Sequence, residues 1–162
     1  MIEIWELVDK NKNKTNTLHK RGDERNIPKG MYHLVVETWV KNRKGQILLT
    51  QRHANKNYGL MWECSGGSVI AGEDSVEAAA RELFEETGIC ANVEKMKYLG
   101  ETIKDNYIVD TYLYVLGEET PNLFLQAEEV VDATWVTMSE MIDKKETIVK
   151  GVWRDIVDLR NK

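Results

Sequence analysis

The segment from Asp74 to Gly88, DSVEAAARELFEETG, carries both a start signal and a stop signal for a helix. Asp74 and Glu77 have the three-residue spacing of a capping box, and Gly88 is the residue type that most often ends a helix. The apolar residues between them recur at helical spacing on one stripe, formed by Val76, Ala79, Ala80, Leu83 and Phe84. The segment is therefore predicted to be a helix that packs this stripe against a core.

The same segment concentrates glutamates at its C-terminal end. Glu82, Glu85 and Glu86 lie at i, i+3 and i+4, so they are predicted to project together from a face outside the apolar stripe. Like charges at this spacing destabilise a helix by about 0.2–0.5 kcal/mol per pair, and the helix dipole adds a further penalty there. Arg81 offsets part of the repulsion through Glu85. A solvated acidic face is one interpretation, but a bound divalent cation accounts for the cluster directly.

The glycine pair Gly66-Gly67 precedes this helix. Because glycine lacks a side chain, the pair is predicted to bring bare backbone, including a carbonyl oxygen, close to the carboxylates. Mg²⁺ prefers oxygen ligands and is commonly shared between protein carboxylates and substrate phosphates. The sequence therefore predicts a magnesium site between the glycine pair and the helix.

The rest of the chain is predicted to consist mostly of strands. An N-terminal hairpin is expected over about 1–22, and a C-terminal helix over about 139–160. Between them, extended segments are predicted at Tyr32–Val40, Gln46–Arg52, Trp62–Gly67, Lys95–Ile103, Tyr107–Glu118 and Val130–Met138. This order predicts an α+β, or mixed α/β, fold with a mixed sheet flanked by helices.

Composition narrows the range of functions. The 162 residues are expected to form one domain, 1–162, and the net charge of −5 argues against a nucleic-acid polymer as partner. No apolar run is long enough to span a membrane, and charged residues interrupt the N-terminus, so we expect no signal peptide. Cys64 and Cys90 are too few for a disulfide framework. A cytoplasmic protein with reduced thiols is expected.

Residues 67–89 match the motif GX5EX7REUXEEXGU, in which U is aliphatic, at every fixed position. The matching residues are Gly67, Glu73, Arg81, Glu82, Leu83, Glu85, Glu86, Gly88 and Ile89. This motif is the Nudix box, and the chain therefore resembles the Nudix hydrolase superfamily. The resemblance implies an α/β/α sandwich with a mixed central sheet.

The resemblance also implies roles for individual residues. The Mg²⁺ ligands would be Glu82, Glu85, Glu86 and the Gly66 carbonyl, with Mn²⁺ able to substitute. Arg81 resembles the residue that orients a box glutamate, and Glu82, Glu85 and Arg81 are predicted to take part in catalysis. Glu73 resembles a supporting acid. The implied reaction is the attack of water on phosphorus in a small-molecule diphosphate, for which a nucleoside diphosphate derivative is the expected class.

Two further assignments lie outside the box. Glu128 and Glu129 precede a predicted strand, and Glu129 is the favoured general base, although a solvated turn explains both equally well. Arg52, at the end of its predicted strand, resembles a family arginine; it either contacts substrate phosphate or pairs with a carboxylate. Dimers are common in the family, so a homodimer is compatible with the resemblance.

Two alternative functions remain. The N-terminal region is similar to that of the isopentenyl-diphosphate isomerases, which share the Nudix fold. Those enzymes lack an intact box, and Cys64 lies two residues ahead of the position of their catalytic cysteine, so we interpret it as a small buried residue. A non-catalytic ligand sensor is the second alternative, but no box glutamate is lost. The sequence therefore favours the hydrolase.

Overall fold

The computed structural model describes residues 2–117 and 120–153. Within them, the strands are β1 Ile4–Val8, β2 Lys14–Lys20, β3 His33–Lys41, β4 Ile47–Arg52, β5 Trp62–Glu63, β6 Ser65–Ser68, β7 Lys97–Ile103, β8 Tyr107–Val115 and β9 Val130–Val136. The helices are α1 Ser75–Thr87 and α2 Met138–Asp143. Short 3-10 turns occupy Glu24–Asn26, Val93–Lys95 and Lys145–Thr147. No helix of the described residues combines the length and apolar character needed to cross a bilayer.

The mixed sheet is centred on β3. This strand runs parallel to β8 along its whole length and antiparallel to β6, while β7 continues the sheet beyond β8. Strand β4 pairs antiparallel with β5 and β9, and its register with β3 is limited to the pair Lys41–Ile47. The predicted mixed sheet is confirmed.

Side chains of β3 alternate between two cores because successive residues of a strand point to opposite faces. Val36 and Val40 belong to a buried cluster that also contains Leu83 of α1. Trp39 belongs to a second buried cluster with Met141 of α2. Helices therefore cover both faces of the sheet, which confirms the predicted α/β/α sandwich.

Strands β1 and β2 form an antiparallel hairpin beside this sandwich. Backbone hydrogen bonds in both directions join Val8 to Tyr32, at 2.8 and 2.9 Å. The backbone N–H of Ala71 also donates to the carbonyl of Ile4 at 2.8 Å. The hairpin is thus fastened to the segment that leads from β6 into α1.

Two details differ from the sequence-based expectation. The apolar stripe of α1 is rotated: Phe84 is 53% exposed, whereas Ala78 and the carboxylate-bearing Glu86 are buried.

The helix predicted over about 139–160 is not continuous, because Ile148 leaves the helical path and forms a bridge with Trp62 of β5. Helical structure resumes at 150–153, and the remainder of the predicted helix lies outside the described residues.

Candidate active site

The ends of α1 are fixed as the sequence predicts. Asp74 and Glu77 form the capping box, and Gly88 adopts a left-handed conformation with φ of 76°, its N–H bonded to the carbonyl of Phe84. These two ends hold the helix against β6 and β3. Its last two turns therefore lie beside the Gly66-Gly67 backbone.

Arg81 holds together the acidic side chains on one side of this helix. Its Nε donates to Glu73 at 2.5 Å, and its Nη1 donates to Glu82 at 2.8 Å and to Glu85 at 3.1 Å. Its Nη2 donates to Glu73 and to the backbone carbonyl of Ser68, each at 3.0 Å. The hydrogen bond to Glu73, followed by those to the other carboxylates, raises the pKa of Arg81. The guanidinium is a fixed cation that orients two of the predicted metal ligands.

Glu86 occupies a different environment. Only 3% of its surface is exposed, and its Oε2 accepts hydrogen bonds from the Ser65 hydroxyl at 2.6 Å and the Gly66 N–H at 3.3 Å. Glu86 forms no ion pair within residues 2–117 and 120–153. Burial raises its pKa to about 8, and burial also raises the pKa of Glu82. A carboxylate buried in this way is costly to ionise unless a cation accompanies it.

The glycine pair is required by close packing. A Cβ at Gly67 would overlap the carboxylate of Glu82, and a Cβ at Gly66 would overlap the carbonyl oxygen of Val36. Strand β6 can therefore pair with β3 and lie against α1 only if both positions lack a side chain.

Gly67→Ala should consequently displace the Glu82 carboxylate. The new methyl group meets the flexible end of a side chain, so we expect the free energy of unfolding to fall by about 1–2 kcal/mol. Turnover should fall by about tenfold to a hundredfold, because the Glu82 carboxylate leaves its position beside Gly67. Urea unfolding and steady-state kinetics measure the two effects. Gly72→Ala is the control: its Cβ would meet no atom within 4 Å, and it carries only the strain of a φ of 93°.

The predicted metal ligands are chemically suited to a hard cation. Glu82, Glu85, Glu86 and the Gly66 backbone offer oxygen atoms, and Glu86 is buried without a paired cation among the described residues. The structure divides the three carboxylates, however: two lie on Arg81 and the third faces Ser65. No group of three metal-ligating side chains in the described ranges forms a ready-made site. The donor set fits Mg²⁺, and Arg81 fixes the positions of Glu82 and Glu85 within it.

A cavity of about 470 Å³ opens beside the Gly66-Gly67 backbone. Its lining includes four cationic side chains, from Arg21, Arg52, Lys56 and Lys104. The wall also includes two acidic residues, Glu37 and Glu63, together with Tyr58, Tyr107 and several valines. The cavity thus offers positive charge next to the acidic helix, together with aromatic and aliphatic surface.

Arg52 and Glu129 lie in two neighbouring ion pairs. The Nη1 of Arg52 donates to both carboxylate oxygens of Glu63 at 2.6 Å, and Lys56 pairs with Glu129 at 2.5 Å. Arg52 therefore pairs with a carboxylate and also lines the cavity. Burial raises the pKa of Glu63, and Arg52 opposes this shift. Glu63 was not predicted as a site residue from the sequence. The signal that could have indicated it is an isolated acidic residue between Trp62 and the glycine pair.

Cys64 is buried in the cluster that contains Trp39, as predicted for a small core residue, but it also lines the cavity. His53 stabilises a turn. Its backbone N–H donates to the Glu129 carbonyl at 2.9 Å, and its Nδ1 accepts a hydrogen bond from the Asn55 N–H at 3.2 Å. Trp62 and Trp153 pack against the same core cluster. Of the tyrosine and tryptophan side chains in the described residues, Tyr58 and Tyr107 line the cavity.

Comparison with known proteins identifies the family. The NUDIX domain model matches residues 31–154. The chain is 35% identical over 149 residues to a Nudix hydrolase of Listeria monocytogenes, covering 86% of this chain and 83% of the relative. It is 30% identical over 146 residues to isopentenyl-diphosphate Delta-isomerase 2 of Photorhabdus laumondii, covering 87% and 81%.

The fold is also found in a solved structure. The crystal structure of DR0079 from Deinococcus radiodurans aligns with a TM-score of 0.69 and 18% identity, covering 89% of each chain. At this identity the likeness concerns the fold. Together with the matching family model and the Listeria relative, it leads to one conclusion: this chain belongs to the Nudix hydrolase family.

Proposed function

We propose that this protein is a Mg²⁺-dependent hydrolase that cleaves the phosphoanhydride bond of a small diphosphate compound, with a nucleoside diphosphate derivative as the substrate class. The observation that supports this proposal most strongly is the buried carboxylate of Glu86 beside a cation-lined cavity. Acidic and basic groups are thus arranged for a metal on one side and a polyanion on the other. We also propose a cytoplasmic location, whereas a homodimer remains an expectation from the resemblance.

The metal would be held by Glu82, Glu85, Glu86 and the Gly66 carbonyl, with Mn²⁺ able to replace Mg²⁺. When bound, such an ion neutralises the diphosphate and lowers the pKa of a bound water. Its binding requires Glu86 to be ionised, so the proton that burial favours on this carboxyl must leave.

The remaining roles belong to side chains of the acidic helix, to two cations that line the cavity and to the partner of one of these cations. Arg81 orients Glu82 and Glu85 through direct hydrogen bonds. Arg52 and Lys56 present positive charge to the phosphates, in positions that their ion pairs define. Glu129 is proposed to accept the proton of the attacking water, and its ion pair with Lys56 fixes the position of its carboxylate.

A diphosphate library tests the proposal. The purified protein is incubated with each compound and Mg²⁺, and products are identified by mass spectrometry and phosphate detection. We expect release of phosphate or a monophosphate from one compound class, and loss of that activity in EDTA with recovery on adding Mg²⁺ or Mn²⁺. Absence of hydrolysis across the library would overturn the proposal.

An isomerase activity is the second candidate, because Cys64 lines the cavity and a relative that matches 87% of this chain is named an isopentenyl-diphosphate isomerase. Cys64→Ala separates the two functions. For the hydrolase we expect turnover within about twofold of the wild type and a stability loss of about 1 kcal/mol, since a small buried group is removed. Abolished turnover, or conversion of isopentenyl diphosphate without phosphate release, would favour the isomerase.

A further inference from the structure

We propose that the N-terminal hairpin is part of the substrate site and that Arg21 binds an anionic group of the substrate. This inference rests on the proposed function, because it assigns a binding role at the same cavity. The hairpin lies outside the matched family domain, which begins at residue 31. The role therefore belongs to a segment that the family model does not include.

Arg21 follows directly on β2 and lines the cavity. The same cavity is lined by Gly66 and Gly67, the backbone predicted to lie at the metal. Its pKa is raised mainly by the hydrogen bond to Glu3 and more weakly by the charges of Glu129 and Glu82. The charges of Glu82, a predicted metal ligand, and of Glu129, the proposed general base, thus act on the guanidinium.

Glu3 fixes the position of Arg21. The Arg21 Nη1 donates to Glu3 Oε2 at 2.6 Å, and the Arg21 backbone N–H donates to the Glu3 carbonyl at 3.0 Å. The other side-chain donors of Arg21 form no hydrogen bond within the described part of the chain, and its side chain is 59% exposed. An oriented guanidinium with open donors suits bidentate contact with a phosphate.

An aromatic stack supports the position of Glu3. The second oxygen of Glu3 accepts a hydrogen bond from the Trp5 indole at 2.6 Å. The Trp5 ring stacks on His33, with centroids 4.1 Å apart and an angle of 10°, and the His33 ring lies 5.6 Å from Tyr107. His33 and Tyr107 both line the cavity. The hairpin therefore contributes a supported wall as well as a charge.

Two of the other cations of the cavity, Arg52 and Lys56, are more fully engaged. Arg52 is held by both oxygens of Glu63 and by the Asn57 carbonyl, and Lys56 is held by Glu129. Lys104 forms no ion pair among the described residues, but it is not anchored. Arg21 combines an anchor with open donors, and we infer that it makes the directed contact to the anion.

Binding of methylene diphosphonate, a diphosphate mimic with a non-hydrolysable P–C–P bridge, tests this role without turnover. Titration calorimetry in Mg²⁺ compares the wild type with Arg21→Gln, Arg21→Lys and Lys20→Gln. Lys20 is the matched control, because it is the exposed neighbouring cation on β2 and does not line the cavity. We expect Arg21→Gln to weaken binding by about tenfold to a hundredfold and Lys20→Gln by less than about twofold.

Arg21→Lys keeps the charge but lacks the planar fork, so its affinity should lie between the wild type and Arg21→Gln. If Arg21→Gln does not fold, this variant decides, with an expected loss of about threefold to tenfold. The inference would be overturned if Arg21→Gln and Lys20→Gln weakened binding equally, or if the wild type did not bind the mimic. If only Arg21→Lys can be measured, an affinity equal to that of the wild type would overturn it. If the mimic binds through Arg21 but no phosphoanhydride is cleaved, the binding role stands and the hydrolase proposal fails.

Discussion

Glu86→Gln should lower turnover by at least about a hundredfold while making the metal-free protein more stable at alkaline pH. The loss of activity follows because an amide cannot supply the anionic oxygen that Mg²⁺ prefers. The gain in stability follows because Glu86 is 3% exposed and forms no ion pair within the described residues. The same carboxylate is therefore proposed to be needed for function and costly for folding.

The pH dependence of stability follows from the direction of the pKa shift. Burial raises the pKa of Glu86 from 4.5 to about 8, so between these values the folded protein binds more protons than the unfolded chain. The contribution of this group to the free energy of unfolding is fully favourable below about pH 4.5 and decreases as the pH rises towards 8. Glu86→Gln removes this component, so its stability advantage should grow across that window.

Thermal unfolding of the metal-free proteins between pH 5 and 9 measures this difference, with steady-state kinetics for turnover. Glu94→Gln is the control, because Glu94 is an exposed acid near the same helix and should change neither quantity appreciably. Added Mg²⁺ should raise the Tm of the wild type and have little effect on Glu86→Gln. Near-normal turnover of Glu86→Gln would contradict the metal assignment, and equal pH profiles would contradict the effect of burial.

Arg81→Gln should reduce both stability and activity. The guanidinium donates to Glu73, Glu82, Glu85 and the Ser68 carbonyl, so its removal leaves three carboxylates close together without their cation. The side chain is one quarter exposed, so we expect a loss of about 2–4 kcal/mol, below the upper range for a fully buried pair. Turnover should fall by about a hundredfold, because Glu82 and Glu85 lose the donor that orients them.

Urea unfolding and kinetics in saturating Mg²⁺ separate the two effects. Arg25→Gln is the matched control, since Arg25 is an exposed arginine in a 3-10 turn and its removal should cost less than about 0.5 kcal/mol. The stability and turnover of Arg81→Lys should lie between those of the wild type and of Arg81→Gln. An ammonium keeps the charge, but it lacks the planar fork with which the guanidinium contacts three carboxylates. If Arg81→Gln lowered the free energy of unfolding and turnover no more than Arg25→Gln does, Arg81 would not hold the acidic cluster.

Local patterns predicted the elements of the fold closely. The strand predicted at Tyr32–Val40 is observed at His33–Lys41, and the helix caps at Asp74 and Gly88 are those observed. Such features depend on alternation, capping and turn residues, which act over a few positions. The prediction was wrong for Phe84 and for the continuity of the last helix, where packing decides the outcome: burial of Glu86 and Thr87 rotates α1, and Ile148 joins β5.

The acidic helix, the glycine pair and the alternation of strands are predictable from the sequence, because they are encoded in residues that are neighbours along the chain. The burial of Glu86, the exposure of Glu85 and the pairing of Arg52 with Glu63 depend on the folded arrangement and could not be predicted. The same holds for the cavity, which gathers Arg21, Lys56 and Tyr107 from distant segments. Burial and charge contacts of this kind depend on how sheets and helices pack. Packing brings together residues that are far apart in the sequence, where no local pattern indicates that they will be close.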